Sequence, residues 1–436
     1  MGARILIVGG GYVGMYTALR LERRLGREHA ITLVTPENFL LYQPFLPEVA
    51  GGTIDPRAVV VPLRRVLERT DLTIGEVERI DHDRKTAVVR LAGDERREVA
   101  YDHVVIGPGS FSRVLPIPGL AEHAVGFKTV SEAIYLRNRV LSQMDKADEL
   151  ADPRARFAAL TFVFVGAGYA GIEALGELED LAREALELYP ALSEHDMRWI
   201  MVEARDAILP ELGPSLATYA RDRLEHRGIE IRTGTRLESI EGGVVRLSDG
   251  QEFRAETVVW TAGVKPSPLA RRSGLPVDEH DRLRVDAFLR VVERPGAWGA
   301  GDVAAVPDEA TGGLAPPTAQ HALRQARRLG DNLATTIQAG DDAQLKPFRW
   351  KHKGSVASLG HYKGVANPLG VRIRGFPAWF LHRTYHLLYM PTWGRRVRIA
   401  MDWTVALLFP RDIAQLGSLE RPRDAFARSF ERASDG

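Results

Sequence analysis

The sequence predicts an α/β fold with two Rossmann-like dinucleotide-binding domains, FAD-type and nicotinamide-type, and a C-terminal membrane-associating segment. Three observations predict it: two glycine fingerprints that each follow a short apolar run, a small-residue turn ending in an acid late in the chain, and an aromatic and basic C-terminal stretch. We expect residues 1–130 and 266–335 to form one nucleotide domain and residues 131–265 the other. Residues 336–436 are expected to form the C-terminal, acceptor-site region.

The two fingerprints carry most of this prediction. The apolar residues 5–8 lead directly into a G-x-G-x-x-G pattern, and residues 162–165 lead into a second one 157 residues later. The pattern glycines are Gly9, Gly11 and Gly14 in the first fingerprint and Gly166, Gly168 and Gly171 in the second. In such a motif the first glycine makes a tight turn, the second admits a pyrophosphate and the third lets helix and strand pack closely. Two such matches predict two bound dinucleotides.

Later segments assign the two sites. A chain that holds two dinucleotides is most simply a redox protein with one FAD and one nicotinamide, because the cofactors carry the redox chemistry. In two-dinucleotide flavoproteins, an acid at the end of a small-residue turn caps the ribityl and phosphate region of FAD. Gly301 and Asp302 fit this pattern. A later strand-like run that leads into a glycine follows each fingerprint. The glycine is Gly109 after the first fingerprint and Gly263 after the second. We therefore assign Gly109, Gly301 and Asp302 to FAD at the first fingerprint, and Gly263 to NADH at the second.

Acidic residues near the second predicted strand of each nucleotide domain are candidates for binding the ribose of the bound nucleotide. Glu203 ends the strand-like residues 198–203, where a carboxylate binds the ribose 2′-hydroxyl and repels a 2′-phosphate, which favours NADH. Arg205 keeps NADPH as an alternative nucleotide, since an arginine can bind the 2′-phosphate. On the FAD side the strand ends at Thr35, and Glu37 two residues later is the candidate, with an exposed loop residue as the alternative.

Composition excludes several kinds of chemistry. The 436 residues carry a net charge of +1, which gives no overall attraction to nucleic acid. The chain contains no cysteine, so dithiol redox reactions, thiolate nucleophiles, iron–sulfur clusters and cysteine-based zinc sites are excluded. We expect no signal peptide, because Arg4 leads straight into the first strand, and no run of 18 apolar residues predicts a membrane-spanning helix.

Local patterns predict further elements. Residues 56–69 read as a helix after an extended loop, and residues 73–105 as short β segments with a turn at residues 81–83. Residues 375–389 read as a helix with a broad apolar surface and with His382, Arg383 and His386 on the opposite side. No acid or cysteine is close to these histidines in the sequence, so no metal site is predicted. A loop at residues 393–398 and a further apolar helix at 399–409 follow.

The chain resembles the type II NADH dehydrogenase family. The resemblance covers nearly the whole length and rests on residues 41–52, 117–119, 177–190, 260–264, 317–320 and 353–357. It implies a single-chain, FAD-dependent NADH:quinone oxidoreductase of the respiratory chain that pumps no protons. The quinone is expected to be of the menaquinone or ubiquinone type, menaquinone first. The expected location is the cytoplasmic face of the cell membrane, as a peripheral protein.

The resemblance also implies roles for individual residues. Glu173 would lie beside the nicotinamide and flavin, Lys353 would stabilise negative charge on the reduced flavin, and Glu48 would handle protons. Gln320 would approach the quinone carbonyl. Arg324 stands where the family has a second glutamine, so it either lines the acceptor pocket or points to solvent. The plain alternatives are a helix-terminal acid for Glu173 and a surface lysine for Lys353.

The C-terminal surface has two possible interpretations, and the predicted function has two rivals. Between residues 371 and 411 there are seven arginines and one acid, which with the aromatic residues suits a helix lying on anionic lipid. A subunit interface of a homodimer would expose the same kinds of residue. The rival functions are a soluble NAD(P)H-dependent flavin reductase or diaphorase with another acceptor, and a non-catalytic NADH-sensing flavoprotein.

Overall fold

The structure is a computed structural model that describes residues 2–340 and 343–415. The remainder of the predicted C-terminal region, residues 416–436, lies outside the described residues. The described helices are α1 Tyr12–Arg24, α2 Leu46–Ala50, α3 Leu63–Val66, α4 Leu120–His123, α5 Val130–Glu149, α6 Pro153–Ala159, α7 Tyr169–Ala185, α8 Pro214–Glu225, α9 Leu269–Arg272, α10 Ala319–Ala339, α11 Phe376–Tyr389 and α12 Trp393–Leu408.

The described strands lie before and between these helices, in several places with more than one strand in succession. They are β1 Arg4–Val8, β2 Ala30–Thr35, β3 Phe39–Leu41, β4 Val60–Pro62, β5 Thr70–Asp81, β6 Thr86–Leu91, β7 Arg96–Ala100, β8 His103–Ile106, β9 Ser110–Ser112, β10 Ala124–Gly126, β11 Thr161–Val165, β12 Arg198–Val202, β13 Glu230–Arg232, β14 Leu237–Ser239, β15 Val244–Leu247, β16 Glu252–Arg254, β17 Thr257–Trp260, β18 Val264–Pro266, β19 Leu283–Arg284, β20 Ala297–Gly299, β21 Ala304–Ala305, β22 Pro307–Asp308, β23 Gly313–Leu314, β24 Val356–Ser358, β25 Gly364–Ala366 and β26 Ile373–Arg374.

The first of two compact units comprises the chain up to residue 42 and residues 60–113 and 263–353. Its main sheet has the strand order β20-β8-β1-β2-β5-β6-β7. The first five of these strands are parallel, and β5, β6 and β7 are antiparallel. Strand β1 is central and buried from Ile5 to Val8, as expected for a parallel strand covered on both faces. Helices α1 and α10 pack together in this unit.

The second unit comprises residues 43–59, 114–262 and the described residues from 354 onward. Its main sheet is entirely parallel, in the order β10-β17-β11-β12-β13. Every residue of β11 is buried, which explains the unbroken apolar run before the second fingerprint. A capping box between Thr129 and Glu132 starts α5. In each unit, a fingerprint thus directly follows an interior strand that is parallel to both of its neighbours.

The predicted α/β class with two Rossmann-like sheets is confirmed, and so are the β segments of residues 73–105. The single helix predicted at residues 56–69 is wrong. A short 3₁₀ turn, the strand β4 and the one-turn helix α3 occupy this stretch. The β-branched run 59–61 favours an extended chain, and Pro62 cannot donate a hydrogen bond inside a helix.

One prediction for the C-terminal segment is also wrong. Residues 393–398 are not a loop, because α12 begins at Trp393. Helix α11 has the two sides that its sequence predicts: Phe376, Phe380 and Leu388 are exposed, while His382 and Arg383 are buried. The charged side of this helix therefore faces the protein interior. The partners of those charges are described below.

Candidate functional site

The first fingerprint has the geometry of a phosphate cradle. Gly9 adopts a φ of +99°, and its N–H donates to the Val34 carbonyl oxygen at 2.8 Å. A Cβ added to Gly14 would lie 1.7 Å from the Gly9 carbonyl oxygen, so α1 packs against the turn only with glycine there. A Cβ added to Gly11 would meet no protein atom within 4 Å. The space above Gly11 is where a pyrophosphate fits, at the N-terminus of α1.

The second fingerprint repeats this arrangement in the second unit. Gly166 has a φ of +107°, and a Cβ on Gly171 would lie 2.1 Å from the Gly166 carbonyl oxygen. A Cβ on Gly168 would again meet nothing within 4 Å. The Thr261 hydroxyl donates to the Gly166 carbonyl oxygen at 2.8 Å and ties the end of β17 to the turn. Both fingerprints therefore leave the second glycine position open for a ligand.

The predicted ribose acids occupy different environments. Glu203 follows β12 directly, and its carboxylate accepts hydrogen bonds from the backbone N–H of Ala167 at 2.7 Å and of Arg205 at 2.9 Å. The acid thus lies at the second fingerprint, despite the 32 residues that separate it from Gly171. Glu37 is exposed, two residues beyond the end of β2, and its role stays a prediction.

The predicted FAD-side residues Asp302 and Gly301 lie in the first unit with Ser110. The Ser110 hydroxyl donates to the Asp302 carboxylate at 2.6 Å, and the Gly301 N–H donates to the Gln325 side-chain oxygen at 2.7 Å. Gly109 has a φ of +75° and open space at its Cβ position. Gly263, assigned to the nicotinamide side, has a φ of +93° and also belongs to this first unit.

Two residues with predicted roles, Arg324 and Lys353, lie near Trp350 in the first unit. The Arg324 guanidinium carbon lies 3.6 Å from the centroid of the Trp350 ring, and an Arg324 N–H donates to the Gln320 carbonyl oxygen at 2.7 Å. Lys353 is exposed, with its Nζ 5.7 Å from the same ring centroid. Such short cation–π stacking holds the half-buried Arg324 against Trp350.

Glu48 of α2 lies buried in the second unit and has two C-terminal partners. The indole N–H of Trp403 donates to one carboxylate oxygen at 2.6 Å, and the Arg383 Nε lies 3.4 Å from the other. The Arg383 guanidinium also lies over the Trp379 and Trp403 rings, 4.2 Å and 4.9 Å from their centroids. A buried carboxylate requires such compensation, which the C-terminal helices supply.

Glu173 of α7 is buried in the same unit. Its Oε1 accepts a hydrogen bond from the Ser358 backbone N–H at 3.0 Å and lies 3.0 Å from the His382 Nε2. Burial alone would lower the pKa of His382, but the Glu173 carboxylate outweighs it and raises the pKa above its usual range. Burial and the neighbouring His382 hold the pKa of His386 well below its usual range. Of the two histidines, His382 is therefore the one whose charged form the surroundings favour.

Glu177, one turn further along α7, is fully buried. Burial raises its pKa to about 7, although the Arg411 guanidinium opposes the shift. Arg411 lies 3.7 Å from the Glu177 carboxylate and donates to the carbonyl oxygens of Gly51 and Glu177. The C-terminal segment thus supplies a cation to each of three buried glutamates: Arg383 to Glu48, His382 to Glu173 and Arg411 to Glu177.

Sequence reasoning missed this pairing, and the expectation of no acid near His382 is wrong. The sequence does hold a signal for it. Glu173, Glu177, Asp180 and Glu184 recur at spacings of four, three and four residues, which places four acids on one side of α7. An acidic stripe on an otherwise apolar helix requires cations from elsewhere, and residues 371–411 carry an excess of them. Trp350, Trp403 and Ser110 gave no comparable signal.

The outer surface of the C-terminal helices is apolar. Trp393 is 75% exposed, Leu408 is 73% exposed and Phe409 is 62% exposed. The other large apolar side chains exposed on or beside these helices are Val371, Phe376, Phe380, Leu388, Tyr389, Val397, Met401, Val405 and Leu407. Among the described residues, no helix is both long and apolar enough to cross a membrane.

Two nucleotide cradles in one chain define a two-dinucleotide oxidoreductase, and comparisons with known proteins agree. Residues 3–326 match the model of the pyridine nucleotide-disulphide oxidoreductase family. Type II NADH:quinone oxidoreductase Ndh of Mycobacterium tuberculosis is 30% identical over 420 residues, which cover 94% of this chain and 89% of the relative. The internal alternative NAD(P)H-ubiquinone oxidoreductase A1 of Arabidopsis thaliana is 26% identical, with 95% and 86% covered. The chain therefore belongs to the type II NADH:quinone oxidoreductase family, as its motifs predicted.

Solved structures show the same fold at lower identity. NDH2 of Plasmodium falciparum, solved in complex with NADH, superposes with a TM-score of 0.88 at 17% identity, covering 95% of this chain and all of that one. A Bacillus anthracis protein, CoADR-RHD, gives a TM-score of 0.68 at 22% identity, covering 88% of this chain and 64% of that one. The similarity to NDH2 extends to the described C-terminal residues, since it covers nearly the whole chain.

Proposed function

We propose that this chain is an FAD-dependent NADH:quinone oxidoreductase. The observation that carries the proposal is the pair of open glycine cradles at Gly11 and Gly168, in a cysteine-free chain of this family. Without cysteine, no dithiol relays electrons between nicotinamide and acceptor. The rival reading as a non-catalytic NADH sensor loses support, because the mycobacterial and plant relatives are named as oxidoreductases.

The residues fit the two nucleotides. The positive φ of Gly9 and Gly166 makes each turn, and the helix N-terminus that follows favours an anionic phosphate. When bound, FAD supplies the redox chemistry by accepting the two electrons of NADH and releasing them to the quinone. Asp302, held by Ser110, is placed to bind hydroxyl groups of the ribityl chain, and Glu203 to bind a ribose of NADH.

The remaining predicted roles belong to the same proposal. Glu173 positions the nicotinamide, and Glu48 holds or releases a proton, consistent with its burial beside Arg383 and Trp403. Gln320 and Arg324 bind the quinone, and Lys353 stabilises negative charge on the flavin side. Menaquinone is the acceptor that we propose first.

We further propose that the outer surface of α11 and α12 lies on the cytoplasmic face of the cell membrane. Its exposed apolar residues would enter the lipid interface, while the arginines at positions 372, 374, 395, 396 and 398 attract anionic headgroups. A homodimer interface is the competing occupant of this surface.

The proposal is tested by single-enzyme assays of purified, FAD-loaded protein with NADH and a panel of menaquinone, ubiquinone and demethylphylloquinone analogues. We expect one quinone to be reduced for each NADH that is oxidised. Turnover with soluble dyes or ferredoxin-type acceptors but with none of the quinones would instead support the soluble reductase.

Replacing Glu203 tests the nucleotide preference. We expect Glu203→Gln to narrow the preference for NADH over NADPH by about 5- to 150-fold, since a charge-assisted hydrogen bond contributes roughly 1–3 kcal/mol. The kcat/KM ratio of the two nucleotides is the measurement. FAD content and melting temperature serve as controls, because the Glu203 carboxylate also accepts the Ala167 N–H. An unchanged ratio would place the discriminating acid elsewhere.

Replacing Gln320 and Arg324 separates the two half-reactions. We expect Gln320→Ala to slow reoxidation by quinone roughly 3- to 10-fold, the effect of one lost hydrogen bond, while reduction by NADH is unchanged. Arg324→Gln should change the ranking of quinones, because it removes the cation stacked on Trp350. Stopped-flow measurement of each half-reaction decides. Arg327→Gln, an exposed neighbour on α10, is the control and should keep the wild-type ranking.

A further inference from the structure

The contact between α11 and α7 gives the C-terminal segment a part in the NADH half-reaction. We propose that His382 is a positioning residue for Glu173: its imidazolium holds the Glu173 carboxylate in one orientation while NADH reacts. The proposal rests on the proposed function, in which Glu173 lies beside the nicotinamide. It extends that function by adding a residue from a helix whose outer side is the exposed apolar surface.

The geometry fixes the carboxylate from two sides. The Ser358 backbone N–H and the His382 Nε2 both lie 3.0 Å from the same oxygen, Oε1 of Glu173. Ser358 ends β24 and His382 lies in the second turn of α11, so two separate elements converge on this oxygen. Neither ring nitrogen of His382 makes a well-aligned hydrogen bond among the described residues, and the residue is only 2% exposed. The 3.0 Å contact with Glu173 is therefore an ion pair, and it places this acid beside the imidazole ring.

The neighbouring cations are already engaged. Arg383, the next residue along the chain, lies 3.4 Å from Glu48 and packs over Trp379 and Trp403. Arg411 lies 3.7 Å from Glu177 and 3.2 Å from Glu184. Loss of His382 would therefore leave Glu173 with a neutral backbone donor alone, since each other cation is committed to a different carboxylate.

The charge of His382 depends on the groups that surround it. Glu173 of α7 and Glu48 of α2 raise its pKa, while burial and Arg383 of α11 lower it. His386 lies one turn along α11, with its ring centroid 4.6 Å away, and Glu177 and Arg411 form the next pair along α7. Because the pKa of His382 is raised from the ordinary histidine value, the imidazolium persists to higher pH than in an exposed histidine and is lost as the pH rises through the raised pKa.

Single-turnover kinetics test the role. We expect His382→Gln to slow flavin reduction by NADH about 10-fold at pH 6, the effect of losing the buried ion-pair partner of Glu173. The deficit should narrow as the pH rises, because wild-type His382 then loses its own charge. His386→Gln, a buried histidine of the same helix, should keep the wild-type pH profile. A deficit for His382→Gln that stays constant across pH would assign His382 a structural role only.

Isotope-labelled histidine NMR provides a second readout that needs no turnover. In the wild type, His382 is expected to titrate above the usual histidine range. In Glu173→Gln it should titrate at lower pH, because burial then dominates. An unchanged titration would overturn the pairing. If wild-type flavin is not reduced by NADH at all, the proposed function fails, while this titration still decides whether the pair exists.

Discussion

Gly11→Val is expected to give a folded but colourless protein, whereas Gly168→Val is expected to give a yellow protein that NADH cannot reduce. Both glycines have φ values near −75° and open space at the Cβ position, so valine meets no backbone strain and no protein atom there. The added isopropyl group instead occupies the space that a pyrophosphate needs. We expect binding of the corresponding nucleotide to weaken at least about 100-fold, or about 3 kcal/mol.

The two substitutions control each other. Flavin absorbance, melting temperature and anaerobic reduction by NADH are measured for both, and each variant should lose only one property. Gly14→Val and Gly171→Val are expected to fail differently, by misfolding, because a Cβ at either position overlaps a backbone carbonyl oxygen. Retention of FAD by Gly11→Val together with loss of FAD by Gly168→Val would reverse the assignment of the two sites.

Replacing Trp393, Leu408 and Phe409 together with glutamine is expected to release the protein from anionic vesicles. These side chains are among the most exposed large apolar groups of the C-terminal helices. Withdrawing their apolar area from the lipid interface should cost about 3 kcal/mol, which corresponds to about 100-fold weaker partitioning. Sedimentation with phosphatidylglycerol vesicles is the measurement. Flavin reduction by NADH should be unchanged, and turnover with long-tailed quinones should fall.

Matched controls make the vesicle experiment specific. Leu188→Gln removes an equally exposed leucine, 64% exposed, outside α11 and α12 and should leave binding intact. High salt should weaken wild-type binding only in part, because it screens the arginines but not the apolar contribution. If the triple variant instead dissociates a dimer without changing vesicle binding, the surface is a subunit interface. Deleting residues 371–436 is a poorer test, since it also removes His382, Arg383 and Arg411.

Local sequence rules predicted the fold well where short-range sterics decide the conformation. The fingerprints follow from glycine at Gly9 and Gly166, whose positive φ other residues rarely adopt, and the buried strands follow from unbroken apolar runs. The helix prediction for residues 56–69 failed because the β-branched run 59–61 and Pro62 favour an extended chain there.

The buried charge cluster was not predictable from local patterns. The partners of His382 and Arg383 lie about 200 to 330 residues earlier, at Glu173 and Glu48, so the sequence of α11 alone does not indicate them. Hydrophobic periodicity separates the two sides of a helix, but it does not show whether the charged side meets solvent or buried acids. The resemblance identified Glu48 and Glu173, but only the structure supplies their counter-ions.

The order in which the chain is synthesised gives this cluster a further consequence. The ribosome releases Glu48, Glu173 and Glu177 well before His382, Arg383 and Arg411, which all come from the last described part of the chain. Until that part emerges, α2 and α7 carry carboxylates that cannot be buried without a large cost. Burial of these carboxylates in the second unit therefore has to follow the synthesis of residues 382–411. A prematurely terminated chain retains an open unit, which chaperones and proteases can recognise.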